Sequence, residues 1–147
     1  MLLKYLYLQN FRNYKKAEFN FSKSNTLIVG PNTSGKTNLI EAIVFLSRGE
    51  SFRTDKDEQV IKFGEEVTRL SAEVNNTIKL EIVIASRAVG GGLNKKKYLV
   101  NGVSKRRADF MGNLQVVLFS PLDLDMIVGS PGLRRNFLNS VLEATDI

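Results

Sequence analysis

Between two apolar runs the chain carries Gly30-Pro31-Asn32-Thr33-Ser34-Gly35-Lys36-Thr37, two glycines five apart followed at once by a cation and a hydroxyl. The spacing G-x-x-x-x-G-K-[ST] is that of a phosphate cradle. Gly30 and Gly35 permit backbone conformations and a close approach that a Cβ would block, so the N–H groups of Asn32, Thr33, Ser34 and Gly35 can turn inward around a phosphate. Lys36 would meet the β and γ oxygens of a nucleoside triphosphate as a cation, and the Thr37 hydroxyl would coordinate Mg2+. The rest of the inventory narrows the chemistry further. The 147 residues include no histidine and no cysteine. The commonest general base, thiolate metal sites and disulfides are therefore excluded, which leaves carboxylates, lysine, hydroxyls or a bound hard cation.

A cradle needs a strand before it and a helix behind it. "NTLIVG" reads as a short, buried central strand ending at Gly30, and residues 36–47 read as a helix that is apolar around most of its circumference. That helix supplies free N–H groups and a positive dipole end at about Gly35. Upstream, residues 2–8 and 17–21 read as two strands joined by a polar connection. Downstream, a short helix is expected around Asp57 to Phe63, stopped by Gly64. The period then changes to two. "TRLSAEV" and "TIKLEIVIA" alternate around Asn75-Asn76, and "YLVNGV" carries the Asn-Gly pair of a type I′ turn, so two hairpins follow. A short helix near Arg106 to Met111, an apolar strand "LQVVLF", and helix starts at Ser120-Pro121 and Ser130-Pro131 complete the chain. In the last helix Leu133, Phe137, Leu138, Val141 and Leu142 form one apolar stripe.

Hydrolysis needs more than the cradle: a second carboxylate for the metal, usually at the end of an apolar strand. "TIKLEIVIAS" ends without one, and Asp123 and Asp125 fall in a helix start, where Asp123 reads as a capping partner. The hydrolytic half is thus expected to lie outside this chain. Length bounds the answer in the same direction, to one domain spanning residues 1–147 or a piece of a larger one.

The order of "LQNFRNY", "VGPNTSGKTNLIEAI", "SFRT", "NGV" and "VLFSPLDLDMIVGSPGLRRNFL" resembles the N-terminal part of the RecF family of bacterial recombination mediators, itself similar to the ATPase heads of SMC and ABC proteins. The resemblance runs from about residue 1 to the end, and its last block is the most specific. It implies an α/β P-loop head of ABC/SMC type, with a mixed sheet, antiparallel hairpins and a phosphate-loop helix in its N-terminal, ATP-binding lobe. It further implies Mg-ATP as ligand, an ATP-dependent homodimer when full length, and other recombination mediators as partners. Action at double-stranded, gapped or junction DNA in the cytoplasm follows, with no membrane role. Arg12 and Asn13 match the segment near the nucleotide in such heads, and Arg53 of "SFRT" matches an arginine that approaches it. For both arginines a solvated loop position stands as the alternative. Two departures stand out: "FSPLDLDM" lacks the glutamine of ABC heads, and Leu122 stands where RecF proteins carry an acidic residue. On this reading the chain is an N-terminal fragment that stops before the ABC signature and the second acidic motif. The competing readings are a small self-contained P-loop NTPase or kinase, and a module whose loop holds nucleic-acid phosphate.

The formal charge is +6, from 21 Lys plus Arg against 15 Asp plus Glu, which favours polyanionic partners. Lys95, Lys96, Lys97, Lys105, Arg106 and Arg107 flank the Asn101-Gly102 turn and form a candidate DNA-phosphate surface, with a solvated hairpin face as the plain alternative.

Overall fold

A computed structural model of the chain describes residues 1–90, 95–120, 127 and 129–145. Two compact units divide the chain, Met1–Leu114 and Gln115–Ile147. The first is built on a six-stranded antiparallel sheet in the order β2-β1-β3-β4-β5-β6. Its strands are β1 (Leu3–Phe11), β2 (Tyr14–Asn20), β3 (Val67–Val74), β4 (Ile78–Ala85), β5 (Lys95–Val100) and β6 (Val103–Lys105). The helix α1 (Lys36–Arg48) packs on β1, β3 and β4, and α3 (Arg107–Phe110) packs on β5. Between β4 and β5 lies α2 (Arg87–Gly90), and the expected helix near Asp57 is a single 3-10 turn, Asp57–Val60.

The strand period explains the core. Leu6 and Leu8 of β1 pair with Ala72 and Leu70 of β3, which pair in turn with Leu80 and Ile82 of β4, and all six are fully buried on one face. Against that face α1 sets Leu39, Ala42, Val44, Phe45 and Leu46, with Phe45 edge-on to Phe11 at 6.4 Å between centroids. Truncating Phe45 to Ala would cost about 3–5 kcal/mol, the usual range for a buried phenylalanine. The hairpin turns follow the residues that tolerate them: Asn75 and Asn76 sit at φ 53° and 59°, and Asn101 and Gly102 at 51° and 79°.

Two expected strands do not form. Residues 25–30 have no ladder partner, and Leu27 and Val29 are 87% and 81% exposed. In the second unit residues 115–119 are likewise unpaired, with Val117 and Phe119 exposed. An internal strand exists only through ladders with neighbours, and among the described residues neither segment has one. The sheet that is described is accordingly antiparallel throughout. Also in the second unit, α4 (residues 131–145) starts behind Ser130, whose carbonyl accepts the Leu133 N–H at 3.1 Å. Of the helix start expected at Ser120-Pro121, Pro121, Asp123 and Asp125 lie outside the described residues.

Candidate functional site

The phosphate loop is shaped by the β1–β2 turn beneath it. Gly35 is the N-cap of α1 at φ 105°, ψ 5°, and its carbonyl accepts the Leu39 N–H at 2.9 Å. A Cβ at Gly35 would lie 2.7 and 2.8 Å from the Asn13 amide atoms and 2.8 Å from the Tyr14 hydroxyl. Those side chains occupy that space to hold the loop. The Asn13 amide donates to Ser34 O at 3.2 Å, and the Tyr14 hydroxyl donates to Gly35 O at 3.1 Å. Burial pushes the Tyr14 phenol above its ordinary value, so it remains a donor. Lys62 fixes the turn from below by donating to Asn13 O at 3.1 Å.

Within the loop Thr33 takes a positive φ of 68°, and Lys36 curls back so that its ammonium donates to Gly30 O and Pro31 O, both at 2.6 Å. The Thr37 hydroxyl is exposed and has no hydrogen-bond partner among the described residues. No acidic residue stands in the first turn of α1. The helix N-terminus therefore keeps uncompensated N–H groups and its positive end, beside one lysine. This arrangement suits a polyphosphate. It also suits Mg2+, which takes one or two protein oxygens and fills its remaining positions with phosphate and water. Thr37 Oγ1 is such an oxygen. No group of three or more acidic residues that could hold a cation by itself occurs among the described residues.

One turn further along α1, Glu41 is fully buried and gathers both sequence-predicted arginines. Arg12 grips it with two donors, Nη2 to Oε1 at 2.5 Å and Nε to Oε2 at 3.0 Å. Arg53 Nη1 donates to Oε2 at 3.1 Å, and Ser51 Oγ donates to Oε1 at 2.6 Å. Burial alone would raise the Glu41 carboxyl. The hydrogen bonds from Arg12 and Ser51 and the charges of Arg12 and Arg53 outweigh it and hold the carboxyl below its ordinary value. Arg53 also donates to Asn38 Oδ1 at 2.8 Å, while the Asn38 amide donates to Asn13 Oδ1 at 2.8 Å. Arg12, Asn13, Arg53 and the loop are thus joined in one network. Sequence reasoning missed Glu41, Asn38, Ser51 and Tyr14. For Glu41 a signal existed: one acid in the middle of an apolar helix must be paired if that face is buried.

The basic cluster is not brought together as one surface. Along β5 the side chains alternate, so Lys96 shares the core face with Tyr98 and Val100 while Lys95 and Lys97 stand on the other. Lys96 is 16% exposed, pairs with Asp57 at 2.8 Å, and lies 4.6 Å from the Phe45 ring centroid. Arg106 is held by Asp109 at 2.9 Å and Arg107 by Glu50 at 3.0 Å. Lys95, Lys97 and Lys105 remain exposed and form no ion pair among the described residues.

A phosphate loop leading into a helix that packs on an antiparallel sheet, with two arginines held on a buried glutamate beside the first turns, is the architecture of a P-loop ATPase head of the ABC/SMC type. The chain belongs to the RecF/RecN/SMC N-terminal domain family, whose pattern matches residues 2–123. It is 39% identical over 142 residues to the DNA replication and repair protein RecF of Oenococcus oeni, covering 95% of this chain and 37% of that protein. A solved structure of the recombination mediator protein RecF-ATPrS superposes with a TM-score of 0.88 at 33% identity, over 99% of this chain and 39% of that one. An SMC ATPase structure shares the fold at a TM-score of 0.72 and 23% identity, over 95% of this chain and 98% of that one. The chain spans little more than a third of the length of the RecF proteins it matches.

Proposed function

We propose that this chain is the N-terminal ATP-binding lobe of a larger RecF-like ATPase head that works on DNA in replication, recombination and gap repair. The observation that carries the reading is the loop itself. Gly35 is held open by Asn13 and Tyr14, Lys36 is parked on loop carbonyls that a phosphate would replace, and Thr37 is free beside an uncompensated helix N-terminus. The named RecF relatives and the ATPrS-bearing structure support the choice of ATP. Thr37 and the triphosphate would hold Mg2+, which neutralises charge developing on the β and γ oxygens.

In this chain the loop N–H groups and Lys36 orient the triphosphate, and a second acidic motif and the signature motif come from sequence beyond it. A full-length homodimer closed around ATP, contacts with other recombination mediators, and a nucleoid-associated place in the cytoplasm belong to the same reading. No helix among the described residues is long and apolar enough to cross a membrane.

Titration with a fluorescent ATP analogue in Mg2+ tests the core of it. Saturable binding that Lys36→Ala abolishes is expected, and phosphate release no faster than the Lys36→Ala background. Binding indifferent to Lys36 would refute the reading. Lys36-dependent turnover by the chain alone would favour a self-contained NTPase. For DNA, the exposed Lys95, Lys97 and Lys105 are proposed to meet duplex or junction phosphates. At about 0.9 per phosphate, three contacts predict a log Kd against log salt slope near 2.7, whereas all six basic residues of the cluster would give about 5.4.

A further inference from the structure

We infer that Glu41 is a positioning residue for the nucleotide and that it acts through Arg53, while Arg12 is the internal anchor of the cluster; this rests on the ATP-binding reading above. The donors divide the two arginines. Arg12 is 18% exposed and has Nε and Nη2 on Glu41 and Nη1 on Gln59 O at 2.6 Å, so its guanidinium is committed to the protein. Its backbone N–H is also used, on Val60 O at 2.8 Å, and its φ of 53° is held by that turn. Arg53 is 43% exposed and commits only Nη1, to Glu41 and Asn38. Among the described residues its Nε and Nη2 make no hydrogen bond, which leaves three N–H donors for an anion.

Glu41 sets where those donors stand. Its oxygens receive four hydrogen bonds, filling the acceptor capacity of a carboxylate. Ser51 belongs to the same device: its hydroxyl donates to Glu41 and accepts the backbone N–H of Arg53 at 2.9 Å. From Arg53 the bonds run through Asn38 to Asn13 and so to the carbonyl of Ser34 in the loop. Two guanidiniums on one carboxylate leave a net positive charge beside the first turns of α1, on the same helix end as Lys36. An apolar side chain at position 41 would have filled the core with less desolvation. The buried carboxylate is accounted for by what it aims.

The test is a double-mutant cycle on the whole chain, read as Kd for the fluorescent ATP analogue in Mg2+. Arg53→Ala is expected to weaken binding about tenfold, as for one charge-assisted contact. Glu41→Gln is expected to weaken it by a similar factor, and the double variant by no more than about twofold beyond Arg53→Ala. A folded Glu41→Gln protein with unchanged Kd, or two effects that multiply, would overturn the inference. Should Glu41→Gln fail to fold, Ser51→Ala decides: about a threefold loss that disappears in the Arg53→Ala background supports coupling, and no loss overturns it. If the wild-type chain shows no Lys36-dependent binding, the nucleotide reading fails first. Binding without coupling removes only the role of Glu41.

Discussion

Replacing Gly35 by Ala adds a single methyl group at the point where three polar atoms already stand. The residue lies at φ 105°, ψ 5°, beyond the small left-handed region open to L-residues, so the backbone term alone is about 1–3 kcal/mol. The new Cβ would lie 2.7–2.8 Å from the Asn13 amide and the Tyr14 hydroxyl, contacts that real Cβ atoms do not make. Moving them stretches the bonds to Ser34 O and Gly35 O and adds an overpacking cost of about 1–3 kcal/mol. The expected total is about 2–6 kcal/mol. Gly64→Ala is the internal control, since Gly64 also has a positive φ of 81° but nothing within 4 Å of an added Cβ. It should cost only the backbone term. Urea unfolding followed by circular dichroism, with unchanged m-values, gives both numbers. Adding Asn13→Ala to Gly35→Ala should recover part of the difference by removing two of the three crowded atoms. If Gly35→Ala falls within about 0.5 kcal/mol of Gly64→Ala, the claim that the β1–β2 turn moulds the loop is wrong.

Two further outcomes follow from charges in the interior. Glu41 has a folded pKa below its ordinary value of 4.5, so the unfolded state takes up its proton first as pH falls. Its contribution to stability is complete above about 4.5 and is lost as pH drops through the lower folded value. The difference in unfolding free energy between wild type and Glu41→Gln should therefore be flat from pH 7 to 5 and shrink below that. A difference that instead grows towards low pH would show that the carboxylate is not stabilised by its arginines. Lys96→Ala removes a cation lying between Asp57 and the Phe45 ring and should lower stability by about 1–3 kcal/mol, whereas Lys97→Ala on the opposite face should stay within about 0.5 kcal/mol. Equal urea midpoints for the two variants would contradict the assignment of strand faces.

Most of the local structure was legible because it is chosen by residues close in sequence. The glycine spacing of residues 30–37, the asparagines at 75, 76 and 101, and the alternation in β3 and β4 each specify backbone geometry over a few residues. The same alternation rule, applied to "KKKYLV", separates Lys96 from Lys95 and Lys97. Counting the three as one charge run concealed that.

What the sequence by itself determined is the identity of the loop, the hairpins and the helix that follows the loop, because steric preferences and periodicity act locally. Tertiary structure alone decided which apolar segments become strands, since residues 25–30 and 115–119 carry strand composition but a ladder needs a neighbour to pair with. It also decided that Glu41 meets Arg12 and Arg53, 29 residues before it and 12 after it, and that Asn13 and Tyr14 stand under Gly35. Such meetings depend on the packing of α1 against the sheet and on the turn that β1 makes into β2. No short stretch of sequence contains that information.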